Sequence, residues 1–312
     1  MRLSRFKTFV TSYYFPEITK DTGYLYNLYH PYKTKLAQIY WWLYKNCVFV
    51  RLCTAIKEEK LDFPYKLIKA IEKNNSIMSF GMGSPGREQK ISILGFDPVI
   101  QIPFFAKFAQ KPKAMELSKN EIEVLKKLQS SGLVPVLYHY KIADNYVFLK
   151  TECIKGKRPS SVSLTNEIID ILLSLVRIEY TNTENSNQYL KFCFSHGDFC
   201  PWNIIQTEEK LRLIDWEMAK YRPFGYDLFT YIFQPFFLLH PQNKIQNILQ
   251  ENISWINTYF NFFQIKDWDI YLIYFVDSKL NEEIEKHNIK LIQGYQLLND
   301  YIKNTVSVSL NI

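Results

Sequence analysis

The 312-residue chain reads as an α+β protein whose strands precede most of its helices. Three observations carry that reading. Apolar runs of strand length recur between Ile77 and Lys150, parted by Gly, Pro, Asn and Asp. Helix-length apolar-periodic stretches dominate after Ser163. Between them, residues 204–214 form an apolar–turn–apolar unit of hairpin length. A content of 47% hydrophobic and 22% charged residues supports a packed core rather than a disordered chain.

Taken in order, residues 1–35 are rich in Tyr and broken by Pro16, Gly23 and Pro31, which predicts short helices or turns. Leu36 to Tyr44 and Val48 to Leu52 are dense in aromatic and aliphatic residues and predict helix. Ile56 to Asn75 reads as an amphipathic helix, so residues 1–75 form an N-terminal helical extension. This extension is basic: it holds 13 Lys/Arg against 6 Asp/Glu, which is all of the net +7, since the remainder balances at 25 of each. Within residues 33–57, Lys33, Lys35, Lys45, Arg51 and Lys57 flank or interrupt the apolar positions. That pattern suits peripheral contact with a membrane surface, and it suits equally a helix docked on the protein body.

Residues 76–152 read as a strand-rich domain. Ile77 to Leu94 has the form strand, Gly-rich turn, strand, and Gly81, Gly83, Ser84 and Gly86 are candidates to let backbone amides approach phosphate oxygens. No G-K-[ST] follows, so this is not a Walker A loop. Pro103 to Ala109 is a strand carrying one Lys, Lys107, among apolar residues. A Lys placed there must reach solvent or find a partner. Asn120 to Gln129 has helical period, with Glu121, Leu125 and Leu128 on one inward face. An inward Glu121 would meet an inward Lys107; Glu116 and Glu123 are rival partners. Val136 to Tyr140 and Tyr146 to Lys150 complete the strands.

Residues 153–312 read as a mainly helical domain. Its first helix opens at Ser163–Glu167 and runs through Leu172, Leu175 and Ile178, and a polar loop follows at 181–189. Helical segments separated by polar breaks fill 228–304, leaving a short tail from Thr305. Between these helical regions, Phe192 to Phe194 reads as a short strand that ends in the loop Ser195-His196-Gly197-Asp198-Phe199-Cys200-Pro201-Trp202-Asn203. Strands 204–206 and 211–214 then pair about the turn 207–210, which sets Asn203 within about one residue of Asp215 because opposed strands advance in step. A carboxylate beside an amide oxygen is a donor set for Mg²⁺. Asp198, on the feeding loop, is a second carboxylate able to orient a hydroxyl and accept its proton.

His196-Gly197-Asp198-Phe199-Cys200-Pro201-Trp202-Asn203 with Leu213-Ile214-Asp215-Trp216-Glu217 resembles the catalytic and metal motifs of the aminoglycoside phosphotransferase and choline kinase-like family. It is nearest a subset of that family with H-G-D-F-x-P-W-N, often found beside polysaccharide genes. Ser84-Pro85-Gly86 and Lys90 are similar to the glycine loop of the same subset. The resemblance runs from about Ile77 to Phe233 and does not cover the first seventy-odd residues. It implies a two-lobed protein-kinase-like fold with a small antiparallel-sheet lobe and a larger helical lobe. It further implies ATP and Mg²⁺ as cofactors, Asp198 as catalytic base, Asn203 and Asp215 as metal ligands, and Lys107 held by Glu121 at the phosphates. Glu152 and Cys153 would stand at the hinge against adenine, and Asp227 and His196 would brace the catalytic loop.

The expected activity is therefore phosphoryl transfer to a hydroxyl of a small molecule or glycan, and the alternative is a catalytically silent binding or scaffold protein of the same fold. Cys47, Cys53, Cys153, Cys193 and Cys200 are odd in number and show no C-x-x-C spacing, which suits reduced thiols in a cytoplasmic protein. Neither a signal peptide nor a spanning helix is expected, and nucleic acid is not an expected partner.

Overall fold

The computed structural model describes residues 2–8, 10–17, 22–29, 35–73, 75–159, 162–178 and 190–309. Pro31, Lys33, the 181–189 stretch and the last three residues, all read above, lie outside the described residues. The chain divides into two compact units, Met1–Ile154 and Lys155–Ile312.

The first unit is built on an eight-stranded sheet. Its strands are β1 (Arg2–Lys7), β2 (Ser12–Phe15), β3 (Ala55–Lys57), β4 (Ile77–Met82), β5 (Lys90–Asp97), β6 (Ile102–Ala109), β7 (Leu137–Ile142) and β8 (Val147–Glu152). They lie in the order β3-β1-β2-β4-β5-β6-β8-β7, and every neighbouring pair is antiparallel. The helices of this unit are α1 (Lys35–Asn46), α2 (Val48–Cys53), α3 (Tyr65–Glu72) and α4 (Pro112–Leu128). The strands at 77–109 and 137–152 match the sequence reading.

The N-terminal segment differs from its reading. Besides helices it contributes β1, β2 and β3, which extend the sheet. The physical reason is a two-sided apolar pattern. Leu3 and Tyr14 face the main sheet core with Ile68, Phe80 and Phe104, whereas Phe6 and Phe15 turn to the opposite face and pack on Trp41 and Tyr44 of α1. Alternating faces that both bury apolar side chains favour strand over turn. The helix read over 56–75 is shorter, α3 alone, because residues 55–57 are held in the sheet by β1. Glu72 of α3 fastens it through a buried ion pair to Lys150 of β8 at 2.5 Å, with Asp97 of β5 on the same ammonium at 3.5 Å. Helix α4 begins at Pro112, eight residues before the expected start, with Pro at its first turn, where a missing N–H costs nothing.

The second unit comprises α5 (Asn166–Val176), β9 (Phe192–Ser195), β10 (Ile204–Gln206), β11 (Leu211–Leu213), β12 (Lys220–Pro223), α6 (Tyr226–Leu239), α7 (Ile245–Phe262), α8 (Trp268–Glu285) and α9 (Ile289–Ser309). Thr165 caps α5 by accepting the Ile168 amide at 3.4 Å. Helix α6 is almost wholly buried from Tyr226 to Pro235, and its Phe229, Phe233 and Phe237 meet Phe260, Phe275 and Tyr295 of the later helices. Strands β10 and β11 pair with Ile204 opposite Leu213 and Gln206 opposite Leu211, as the turn position requires. Strand β9 pairs with β12, which the sequence reading lacks. Pro223 argues against a strand by pattern, yet a two-stranded ribbon has edges on which a missing donor is tolerated.

Candidate active site

The loop between β9 and β10 is held from two directions. From beneath, the Asp227 carboxylate accepts the His196 amide at 2.6 Å and the Gly197 amide at 2.9 Å. From the hairpin side, His196 Nε2 lies 2.9 Å from the Ile214 carbonyl, while its Nδ1 accepts the Asp198 amide at 3.3 Å. An accepting Nδ1 leaves the proton on Nε2, so the ring is a donor to Ile214. The fully buried imidazole lies against Trp216, with ring centroids 4.6 Å apart, and its role here is to hold the loop. Gly197 adopts φ +85°, and a Cβ there would come within 2.3 Å of the Met218 carbonyl oxygen, so only glycine fits.

This bracing presents Asp198, which is partly exposed. Its Oδ2 accepts from Asn203 Nδ2 at 2.9 Å, and the same amide nitrogen donates to the Asp198 carbonyl at 2.9 Å. Its Oδ1 accepts from Gln234 Nε2 of α6 at 2.7 Å. Asn203 closes a one-turn helix, Pro201–Asn203, and its carbonyl accepts the Ile214 amide at 2.9 Å. The amide nitrogen of Asn203 thus serves Asp198, and its oxygen is the atom left to meet a cation. Asp215, next after Ile214, adopts φ 68°, ψ 58°, a left-handed conformation that a non-glycine residue takes at a cost. The hairpin register therefore brings Asn203 and Asp215 to the same end of β10–β11, and a hydrogen bond joins Asp198 to Asn203. Both metal candidates offer hard oxygen, the donor type that Mg²⁺ selects.

Cys200 is fully buried with Sγ 3.6 Å from Asp198 Oδ1. Burial, and then the Asp198 carboxylate, push its thiol well above the usual range, so it is a protonated donor and not a nucleophile at neutral pH.

In the first unit, Lys107 Nζ lies 2.7 and 3.0 Å from the two Glu121 oxygens, with both side chains buried. Strand β6 turns Lys107 inward, and α4 carries Glu121 on the face of Leu125 and Leu128. The rivals are engaged elsewhere: Glu116 pairs with Lys113 and Glu123 with Lys126 on the surface. Of the glycine-loop candidates, Gly83, Ser84 and Gly86 lie in the connection from β4 to β5. Gly81 instead sits inside β4 opposite Ser92 and Tyr13. At Gly83 a Cβ would meet the Lys90 carbonyl oxygen at 2.6 Å, so the hairpin closes only with glycine there. The loop is pinned by Gln89 Nε2 donating to the Gly83 carbonyl at 2.9 Å and by Lys111 Nζ donating to the Gly86 carbonyl at 2.7 Å. Glu152 ends β8, where its carboxylate accepts the Val136 amide at 3.2 Å, and Cys153 follows it, partly buried.

Sequence reasoning missed Gln89 and Lys111 at the glycine loop, and Gln234 at Asp198. For Gln234 a signal existed. It is a lone amide in the apolar run of α6, seven residues after Asp227, and so on the same helix face. No comparable signal marks Gln89 or Lys111, whose roles depend on loop geometry.

Residues 166–243 match the model of the phosphotransferase enzyme family. No curated protein matches the chain. Among solved structures, an amicoumacin kinase in complex with AMP-PNP, Ca²⁺ and Ami is similar at 11% identity and a TM-score of 0.51, over 77% of this chain and 87% of that one. An aminoglycoside-3′-phosphotransferase of type VIII matches at 14% identity and a TM-score of 0.45, over 76% and 98% of the two chains. A protein described as a fructosamine-3-kinase from Haemophilus somnus 129PT matches at 12% identity and a TM-score of 0.46, over 75% and 95%. The first of these likenesses establishes the fold as kinase-like.

Proposed function

We propose that this chain, whose residues 166–243 match the phosphotransferase enzyme family, transfers the terminal phosphoryl group of ATP, with Mg²⁺, to a hydroxyl of a small molecule or sugar. The observation that carries this reading is the bonded pair Asp198–Asn203 at the end of the hairpin that bears Asp215. In the reaction the acceptor hydroxyl oxygen forms a bond to the γ-phosphorus, and the bond from that phosphorus to the bridging oxygen of the departing ADP breaks. Asp198 orients the hydroxyl and takes its proton. Asn203 Oδ1 and the Asp215 carboxylate hold Mg²⁺, which supplies neutralisation of the phosphate charge when bound. Lys107, fixed by Glu121, contacts the α- and β-phosphates, and the Gly83–Gly86 loop adds backbone amides. The backbone at Glu152 and Cys153 faces adenine. A glycan or cell-envelope hydroxyl is the acceptor class that the motif subset favours.

The test is a screen of metabolites and glycans for ATP-dependent phosphate incorporation, with Asp198→Asn as control. Loss of a general base costs transfer about 10²- to 10⁴-fold, while ATP and Mg²⁺ still raise the melting temperature of the variant. Unchanged turnover per bound ATP in Asp198→Asn contradicts the assignment.

A second reading concerns α1 and α2, and supports a cytoplasmic protein that visits the inner face of a membrane. Trp41 and Tyr44 bury one face of α1, but Leu36, Ile39, Trp42, Phe49 and Leu52 are 56–79% exposed. Residues 35–57 hold Lys35, Lys45, Arg51 and Lys57 and no acidic residue. Aromatic and aliphatic side chains amid positive charge complement an anionic lipid surface. No helix among the described residues is long and apolar enough to cross a membrane. Flotation with anionic but not neutral liposomes, lost in Trp42→Ser/Phe49→Ser, is the expected result. Equal behaviour on both lipids refutes it.

A further inference from the structure

The carboxylate of Asp198 has a partner that the sequence motifs do not include. Gln234 of α6 donates from Nε2 to Asp198 Oδ1 at 2.7 Å. Its Oε1 accepts from Lys279 Nζ of α8 at 3.1 Å. Gln234 and Lys279 are 6% and 3% exposed, so water does not compete for these bonds. A carboxamide can present either its oxygen or its nitrogen to a neighbour. An ammonium only donates, so Lys279 obliges the oxygen to face it and turns the NH₂ toward Asp198. The ammonium is itself held over the Tyr226 ring, 5.1 Å from the centroid, and Tyr226 donates to Glu282 at 2.8 Å.

We propose that Gln234, with its amide orientation locked by Lys279, is a positioning residue for Asp198. The inference rests on the reading of Asp198 as the proton-accepting group. Asn203 holds Oδ2 from the hairpin and Gln234 holds Oδ1 from α6, so the plane of the carboxylate is fixed from both ends. A base fixed in this way meets the acceptor hydroxyl without first paying for side-chain ordering. Toward Asp198, Lys279 acts through Gln234.

Steady-state kinetics of four variants test this, with circular dichroism to confirm folding. Gln234→Glu keeps the shape and the acceptor for Lys279 but removes the donor to Asp198. We expect kcat to fall roughly 10- to 100-fold, as for loss of a hydrogen bond to a charged group, with KM for ATP within about twofold. Gln234→Leu behaves alike. Lys279→Met lowers kcat in the wild-type background and adds nothing in Gln234→Leu, because the route to Asp198 is already cut. A wild-type kcat in Gln234→Glu overturns the proposal, as does an equal effect of Lys279→Met in both backgrounds; the phosphotransferase reading survives either result. Absence of transfer by the wild-type chain over the whole acceptor panel overturns that reading, and the positioning role with it.

Discussion

Asp227→Ala isolates the brace beneath the loop that carries Asp198. The substitution removes the acceptor for two backbone donors, the amides of His196 at 2.6 Å and of Gly197 at 2.9 Å. Both residues are buried, so water does not replace the lost oxygens. A stranded buried donor costs about 1–3 kcal/mol, which sets the expected loss at roughly 2–6 kcal/mol. Asp227→Asn keeps one acceptor and turns the other into a donor, and so recovers at most half of that loss. The control is Asp277→Ala on the exposed face of α8, which stays within about 0.5 kcal/mol of the wild type. The assay is urea unfolding at neutral pH, read as a midpoint shift at constant slope. An Asp227→Ala midpoint that coincides with that of the control refutes the argument, because the loop would then be held by His196 and Asn203 alone.

The Lys107–Glu121 pair should couple. Lys107→Met and Glu121→Gln, combined in a double-mutant cycle of unfolding, show an interaction of at least about 1 kcal/mol, and additive losses speak against a buried pair. Glu282 carries a pH signature. Burial opposes its charged form, yet Arg222, Lys279, the Tyr226 hydroxyl and Lys220 hold its carboxyl below the ordinary 4.5. Its folded value is thus lower than its unfolded one. The stability it contributes is fully present above about pH 4.5 and is lost as pH falls through the folded value. Glu282→Gln flattens that acid limb in thermal unfolding below about pH 4.5; an unchanged slope removes Glu282 from the account.

Much of the candidate site's arrangement is local in sequence and was therefore readable there. The turn at 207–210 fixes the register of β10 and β11, and register alone puts Asn203 next to Ile214 and Asp215. The inward face of α4 follows from its apolar spacing, which carries Glu121 with it. Even Gln234 was within reach, one turn-pair beyond Asp227 in a helix otherwise without amides until its end.

What the sequence determined by itself was whatever depends on neighbours within one element or one hairpin: the strand runs from Ile77 onward, the helical second half, and the Asp198, Asn203 and Asp215 group. Tertiary structure alone decided the rest. Strands β1 to β3 exist because Leu3 and Tyr14 bury on one side of the sheet while Phe6 and Phe15 bury under α1 on the other, and no local period announces such a two-sided partner. The pairing of β9 with β12, the capture of Lys150 by Glu72, and the bonds from Asp198 to Gln234 and from Gln234 to Lys279 each join residues 25 to 78 positions apart, at register or contact distances set by packing. Pattern reports which face of an element is apolar; which other element that face meets is fixed only when the whole unit closes over its core.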